Sequence, residues 1–169
     1  HPHRAGNVAV VHNGIIENFK ALRDELTAKG AEFRTETDTE TIAHLCATYM
    51  AEGMRAVDAA AKTLSRLEGA FALCFLFHGE EDLLVAARRG SPIALGYGDG
   101  EMFVGSDALA LAPMTNQICY LEEGDYAVVT RDGAEIFTEH GELASREVRT
   151  VQVDAVFSDK GAHTHFMSK

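Results

Sequence analysis

The sequence is poor in cysteine, in positive charge and in long apolar stretches. Its three cysteines are an odd number at wide spacing, which argues against the disulfide framework of a small secreted domain. Only 15 Lys and Arg residues stand against 26 Asp and Glu residues, giving a formal net charge of −11. That balance argues against binding to nucleic acid or to anionic membrane surfaces. No apolar run approaches the roughly 20 residues that a membrane-spanning helix needs.

What remains is typical of one globular domain with a core of its own. Of the 169 residues, 46% are hydrophobic, and there are no internal repeats or low-complexity tracts. Cys46, Cys74 and Cys119 each lie within an apolar pattern, so we interpret all three as buried hydrophobic residues and not as nucleophiles. The eight histidines lack the spacing of a structural zinc site, and we expect no metal and no cofactor.

The stretch around Asn13 and Gly14 has the pattern of a strand followed by a helix. Val8–Val11 is a β-branched run that predicts a strand buried on both faces. The apolar spacing over Ile15–Lys29 predicts a helix, with Gly30 at its carboxyl end. Asn13 and Gly14 would then offer an amide donor and an accessible backbone N–H, which is the chemistry of an oxyanion hole. An ordinary Asn-Gly turn is the simpler alternative.

A second stretch combines helix-capping residues with a carboxylate. Thr37 and Glu40 have the spacing of a capping box, and Asp38 and Thr41 repeat it one residue later. If Thr37 caps the helix, Asp38 is free to face a ligand. If Asp38 is the cap, its carboxylate is used within the helix.

The rest of the chain predicts helices first and strands afterwards, which indicates an antiparallel α+β fold. A short strand is predicted at Glu32–Arg34, and Val148–Val153 reads as an edge strand. We interpret the strands between Ile118 and Phe137 as a meander, and residues 158–169 as a tail. The other predicted elements are the helices Asp38–Ala51 and Ala56–Leu67, a short helix after Ser106-Asp107, and the strands Ala70–Phe77, Leu83–Ala87, Ile93–Gly96, Met102–Val104, Ile118–Leu121, Tyr126–Thr130 and Glu135–Phe137.

The His-Asn-Gly segment after a buried strand, followed by Glu-Thr-Asp-Thr-Glu, resembles the class II glutamine amidotransferases among the N-terminal-nucleophile hydrolases. The resemblance implies a four-layer αββα sandwich of antiparallel sheets, here incomplete at the N-terminus. It implies that Asn13 and Gly14 are catalytic, as the oxyanion hole, and that Asp38 binds the α-amino group of glutamine. It also implies that His1 lies near the glutamine pocket, although a solvated terminal histidine is the simpler interpretation.

Three further segments resemble the members of this family that make glucosamine 6-phosphate and glutamate from fructose 6-phosphate and glutamine. They are Ala-Arg-Arg-Gly-Ser-Pro from residue 87, Gly-Ser-Asp-Ala-Leu-Ala from residue 105, and Leu-Glu-Glu-Gly-Asp from residue 121. This implies a cytoplasmic, homodimeric enzyme of hexosamine biosynthesis. Residues 1–157 would be the carboxyl-terminal portion of its amidotransferase domain, and residues 158–169 a linker towards an absent sugar isomerase domain.

The resemblance also implies a fragment. The family's nucleophile is a cysteine at the mature N-terminus, and it has no counterpart here, so we expect the isolated chain to be inactive. Two alternatives stay open. One is another class II amidotransferase, such as amidophosphoribosyltransferase or asparagine synthetase. The other is a non-catalytic binding domain of the same fold.

Overall fold

Two antiparallel sheets form the centre of the molecule. The structure is a computed structural model that describes residues 3–152 and the backbone of residues 166–168. Its strands are β1 (His3–Ala5), β2 (Val8–Ile16), β3 (Gly69–Phe77), β4 (Leu84–Arg89), β5 (Ala94–Tyr97), β6 (Met102–Gly105), β7 (Gln117–Tyr120), β8 (Tyr126–Thr130), β9 (Gly133–Phe137), β10 (Leu143–Ala144), β11 (Val148–Thr150) and β12 (Phe166–Ser168). The first sheet has the order β1-β2-β3-β4-β8-β9-β10, and the second has the order β11-β7-β5-β6-β12.

Four helices are present in the described residues: α1 (Phe19–Ala28), α2 (Asp38–Ala51), α3 (Ala56–Arg66) and α4 (Ala108–Leu111). The predicted bounds of α2 are confirmed, and those of α3 differ by one residue. The predicted short helix is also confirmed, because the side chain of Asp107 caps α4 by accepting a hydrogen bond from Ala110 N at 2.9 Å. None of these helices is long and apolar enough to cross a membrane.

Buried apolar side chains form three clusters between four layers, which are the helices α1–α3, the first sheet, the second sheet and the helix α4. Because side chains alternate along a strand, β3 contributes Phe71, Leu73 and Phe75 to the cluster beneath α1, α2 and α3. On its other face, β3 contributes Cys74 to a cluster between the two sheets. The third cluster joins the second sheet to α4 and contains Ala94, Phe103, Leu111 and Ile118. The predicted αββα sandwich is therefore confirmed.

The start of α1 was predicted wrongly. The chain stays in β2 through Ile16 and pairs with β3 as far as Ile16 opposite Gly69, so the helix begins at Phe19 and not at Ile15. Ile15 is 67% exposed whereas Ile16 is fully buried, which is the two-residue period of a strand. The predicted carboxyl end differs by one residue: α1 ends at Ala28 with Lys29 as its C-cap, and Gly30 follows with a φ of 98° and an N–H that donates to Thr27 O.

Two further predictions about strands are also wrong. Glu32–Arg34 forms no strand, because the backbone N–H groups of Arg34 and Thr35 donate to the carboxylate of Glu40 and not to a neighbouring strand. The predicted meander is split, since β7 pairs with β5 in the second sheet whereas β8 pairs with β4 in the first. Neighbours in sequence are therefore not neighbours in space at this point.

The end of the chain returns to the second sheet. β11 lies at one edge of that sheet, as predicted for an edge strand, although it ends at Thr150. At the opposite edge, the backbone of β12 pairs with β6. The sequence did not predict β12, and residues 158–165 of the expected tail lie outside the described residues.

Candidate active site

Asn13 and Gly14 lie inside β2, opposite Ala72 and Phe71 of β3, and both are exposed to solvent. They do not stand at the first turn of a helix as expected. Any backbone donor at this position is therefore a strand-edge N–H, and a helix dipole does not contribute to it.

Gly14 occupies a position that no other residue fits without distortion. Its φ is 113°, a conformation that L side chains rarely adopt. A Cβ atom on Gly14 would lie 2.2 Å from the carbonyl oxygen of Ala70 and 2.8 Å from Cα of Phe71. Glycine is thus required here by the close approach of the β3 backbone.

The N–H of Gly14 points towards an open edge of the first sheet. Glu17 N donates to Glu68 O on the β3 side at 2.7 Å, whereas Ile16 N points the other way. Successive N–H groups alternate along a strand, so Gly14 N shares the direction of Ile16 N. On that side β1 pairs only with Val8–Val10, so in the described part of the chain no strand covers the edge at Gly14.

Asp38 lies against the same edge. Its Oδ2 accepts a hydrogen bond from Ile16 N at 3.1 Å, and its side chain remains 23% exposed. The N-cap of α2 is Thr37, whose side chain accepts from Glu40 N at 3.4 Å. The carboxylate of Asp38 is therefore not used as a cap and is directed to β2. One strand edge brings together the Gly14 donor and an acidic side chain.

The sequence did not single out two residues of this edge. His12 has a buried side chain, and its Nδ1 lies 3.0 Å from Thr39 Oγ1 and 3.8 Å from Asp38 Oδ1. Ile16 contributes only its backbone N–H. A histidine that ends an apolar run signals burial, but nothing in the sequence indicates the backbone contact of Ile16.

The three cysteines are buried in apolar clusters. Cys46 packs beneath the helices, whereas Cys74 and Cys119 lie between the sheets. Burial raises the pKa of Cys46 to about 12 despite a hydrogen bond with Thr63, and it raises the pKa of Cys74 to about 12. Burial also raises the pKa of Cys119. None of these thiols is activated as a nucleophile.

Two further expectations from the sequence concern His1 and metal binding. His1 lies outside the described residues. Within the described residues, no group of three or more His, Cys, Asp or Glu side chains could hold a metal ion.

Comparison with known proteins identifies this αββα sandwich as an amidotransferase domain. The fold resembles the solved glutamine phosphoribosylpyrophosphate amidotransferase from B. subtilis, with a TM-score of 0.66 and 25% sequence identity. That match covers 82% of this chain and 31% of the solved chain.

The family profile described as "Glutamine amidotransferase domain" matches residues 1–113, and the chain belongs to that family. Curated relatives match over the whole chain. The glutamine–fructose-6-phosphate aminotransferase (isomerizing) of Mesorhizobium japonicum is 55% identical over 169 residues, and that of Agrobacterium fabrum is 54% identical. The chain spans 28% of the length of each of these relatives.

Proposed function

We propose that this chain is part of the glutamine-hydrolysing domain of an enzyme that makes glucosamine 6-phosphate and glutamate from fructose 6-phosphate and glutamine. The names and the 55% and 54% identity of the relatives above support this choice of acceptor over phosphoribosyl pyrophosphate. The observation that carries the glutaminase role is the shared strand edge of Gly14 and Asp38.

The spacing of that edge suits glutamine. Gly14 N and Ile16 N are two residues apart, which is roughly 6.8 Å along an extended strand. Asp38 is anchored at Ile16, so its carboxylate lies about one glutamine length from the Gly14 donor. In glutamine, three carbon atoms separate the amide carbon from the α-amino nitrogen. The amide oxygen can therefore reach Gly14 while the α-ammonium group reaches Asp38.

The proposed reaction is an acyl transfer. A cysteine thiolate attacks the amide carbon of glutamine, and the electron pair of the C=O bond moves to oxygen. The N–H of Gly14 and the side-chain amide of Asn13 stabilise this oxyanion. The α-amino group of that cysteine, the base that the family resemblance implies, takes the thiol proton and passes it to the amide nitrogen, so that collapse of the oxyanion breaks the C–N bond and releases ammonia. Water then cleaves the thioester, which releases glutamate and restores the thiol.

Cys46, Cys74 and Cys119 are excluded as that nucleophile by their burial and raised pKa values. The proposal therefore takes the thiolate from outside these 169 residues. The proposal also holds that the enzyme is a cytoplasmic homodimer. Light scattering of the full-length gene product should then measure twice the mass of one chain.

Two substitutions in the full-length gene product test the assigned roles separately. Asn13→Ala removes a donor that is needed mainly in the transition state, so we expect kcat for glutamate release to fall about 100-fold with KM nearly unchanged. Asp38→Asn removes a charge that binds the substrate in both states, so we expect mainly a higher KM.

The control is synthesis of glucosamine 6-phosphate from fructose 6-phosphate with ammonium salts in place of glutamine. Both variants should retain this activity, because the acceptor site is untouched. Equal changes in kcat and KM for both variants would refute the assigned roles. Ammonia transfer to phosphoribosyl pyrophosphate, and not to fructose 6-phosphate, would refute the proposed acceptor.

A further inference from the structure

His12 is a buried polar residue at the open edge of β2, and the reaction described above does not use it. Its side chain is 3% exposed and lies on the same face of the strand as Val8 and Val10, beneath the helices. It contacts the first turn of α2, where Nδ1 lies 3.0 Å from Thr39 Oγ1.

The surroundings of His12 define its protonation state. Burial lowers the pKa of His12 below its ordinary value, although the nearby carboxylate of Asp38 opposes this effect. The imidazole is therefore neutral at pH 7 and carries one proton. Because Asp38 Oδ1 lies 3.8 Å from Nδ1, the proton is favoured on Nδ1, which then donates to Thr39 Oγ1.

The second ring nitrogen of His12, Nε2, is buried and makes no hydrogen bond within the described residues. A buried polar atom without a partner destabilises a folded protein, so this histidine is not the residue that stability alone would favour. Its contact with the first turn of α2 therefore points to a role in the site.

We propose that His12 is a positioning residue for glutamine, which fixes the first turn of α2 against β2 through Thr39 so that Asp38 presents its carboxylate at the open edge. The inference rests on the proposed function. Asp38 is then held on both sides: Ile16 N binds Oδ2, and the His12–Thr39 contact holds the turn next to Oδ1. Since the imidazole is neutral, it does not compete with the substrate's ammonium group for the negative charge.

A double-mutant cycle in the full-length gene product tests the contact. His12→Leu and Thr39→Val each remove it, and we expect each to raise KM for glutamine about tenfold with kcat within about twofold. The double variant should be no worse than either single variant, because both remove the same contact. His12→Asn places an amide donor near the position of Nδ1 and should restore most of the affinity.

Thr41→Val is the matched control. Thr41 lies in the same helix, is fully buried, and its hydroxyl has no hydrogen-bond partner among the described residues. We expect this variant to bind glutamine as well as the wild type. Thermal unfolding separates positioning from a purely structural role. His12→Leu loses the contact with Thr39 but also removes the unpartnered Nε2, so we expect these effects to offset and Tm to change little while KM rises.

The outcomes distinguish this inference from the proposed function. If Asp38→Asn raises KM but His12→Leu and Thr39→Val do not, the positioning role is overturned and the function stands. If Asp38→Asn has no effect on KM, the proposed function itself fails. A fall in kcat at constant KM for His12→Leu would show that His12 supports Asn13, and it would overturn the route through Thr39. If His12→Leu does not fold, Thr39→Val alone decides.

Discussion

Gly14→Ala should destabilise the fold far more than a glycine substitution at positive φ in open space. The backbone conformation alone costs on the order of 1–3 kcal/mol for a residue with a side chain. At Gly14 the added Cβ would also lie 2.2 Å from Ala70 O, so β2 and β3 must separate and weaken their hydrogen bonds. We expect a total loss of about 3–5 kcal/mol, which corresponds to a fall in Tm of about 10 °C for a domain of this size.

The control is Gly30→Ala, which isolates the cost of the backbone conformation. Gly30 has a φ of 98°, and a Cβ there would meet nothing within 4 Å. Gly69→Ala is the reciprocal variant, because its Cβ would lie 2.2 Å from Ile15 O on the other strand. We expect Gly69→Ala to match Gly14→Ala, and both to exceed Gly30→Ala by about 2 kcal/mol or more. Urea unfolding of the 169-residue chain, followed by circular dichroism, measures all three. Equal losses for Gly14→Ala and Gly30→Ala would refute the close approach of the two strands.

Two further predictions concern the isolated 169-residue chain. It should release no glutamate from glutamine. A thiol reagent at pH 8 should modify Cys46, Cys74 and Cys119 only when the protein unfolds. Rapid modification of the folded chain would contradict the burial of these thiols. Burial raises the pKa of Glu40, but hydrogen bonds from Thr35 and from the backbone of Arg34 outweigh it, so the pKa is lowered from 4.5. The stability that ionised Glu40 contributes is therefore present above pH 4.5 and is lost as the pH falls through the pKa of Glu40 in the folded protein. Glu40→Gln should make the free energy of unfolding less dependent on pH in that range.

The sequence predicts most elements of this fold because alternation and helical spacing are local properties. The capping pair Thr37 and Glu40 placed the start of α2 at Asp38, and the structure has it there. The same reasoning failed at Ile15 and Ile16, because two adjacent apolar residues fit a helix as well as the end of a strand. In the structure these residues belong to the strand because they pair with β3. The two strands are about 55 residues apart in sequence at this point, so the pairing leaves no local pattern.

For the candidate site, the sequence proposes residues but not their geometry. The resemblance named Asn13, Gly14 and Asp38, and the structure places Gly14 and Asp38 along one edge of β2. The contribution of His12 could not be predicted, since its contact with Thr39 depends on how α2 packs against the strand. The split between β7 and β8 likewise depends on which sheet each strand joins, and a turn sequence does not specify this.

The anchor of Asp38 has a consequence for how this protein tolerates sequence change. The hydrogen bond to its carboxylate comes from the main chain of Ile16, and the side chain of that residue is fully buried in the core. Any amino acid except proline supplies the same N–H. The orientation of the acid can therefore persist while position 16 drifts among residues that fill the core, and a comparison of sequences would record position 16 only as a varying hydrophobic site.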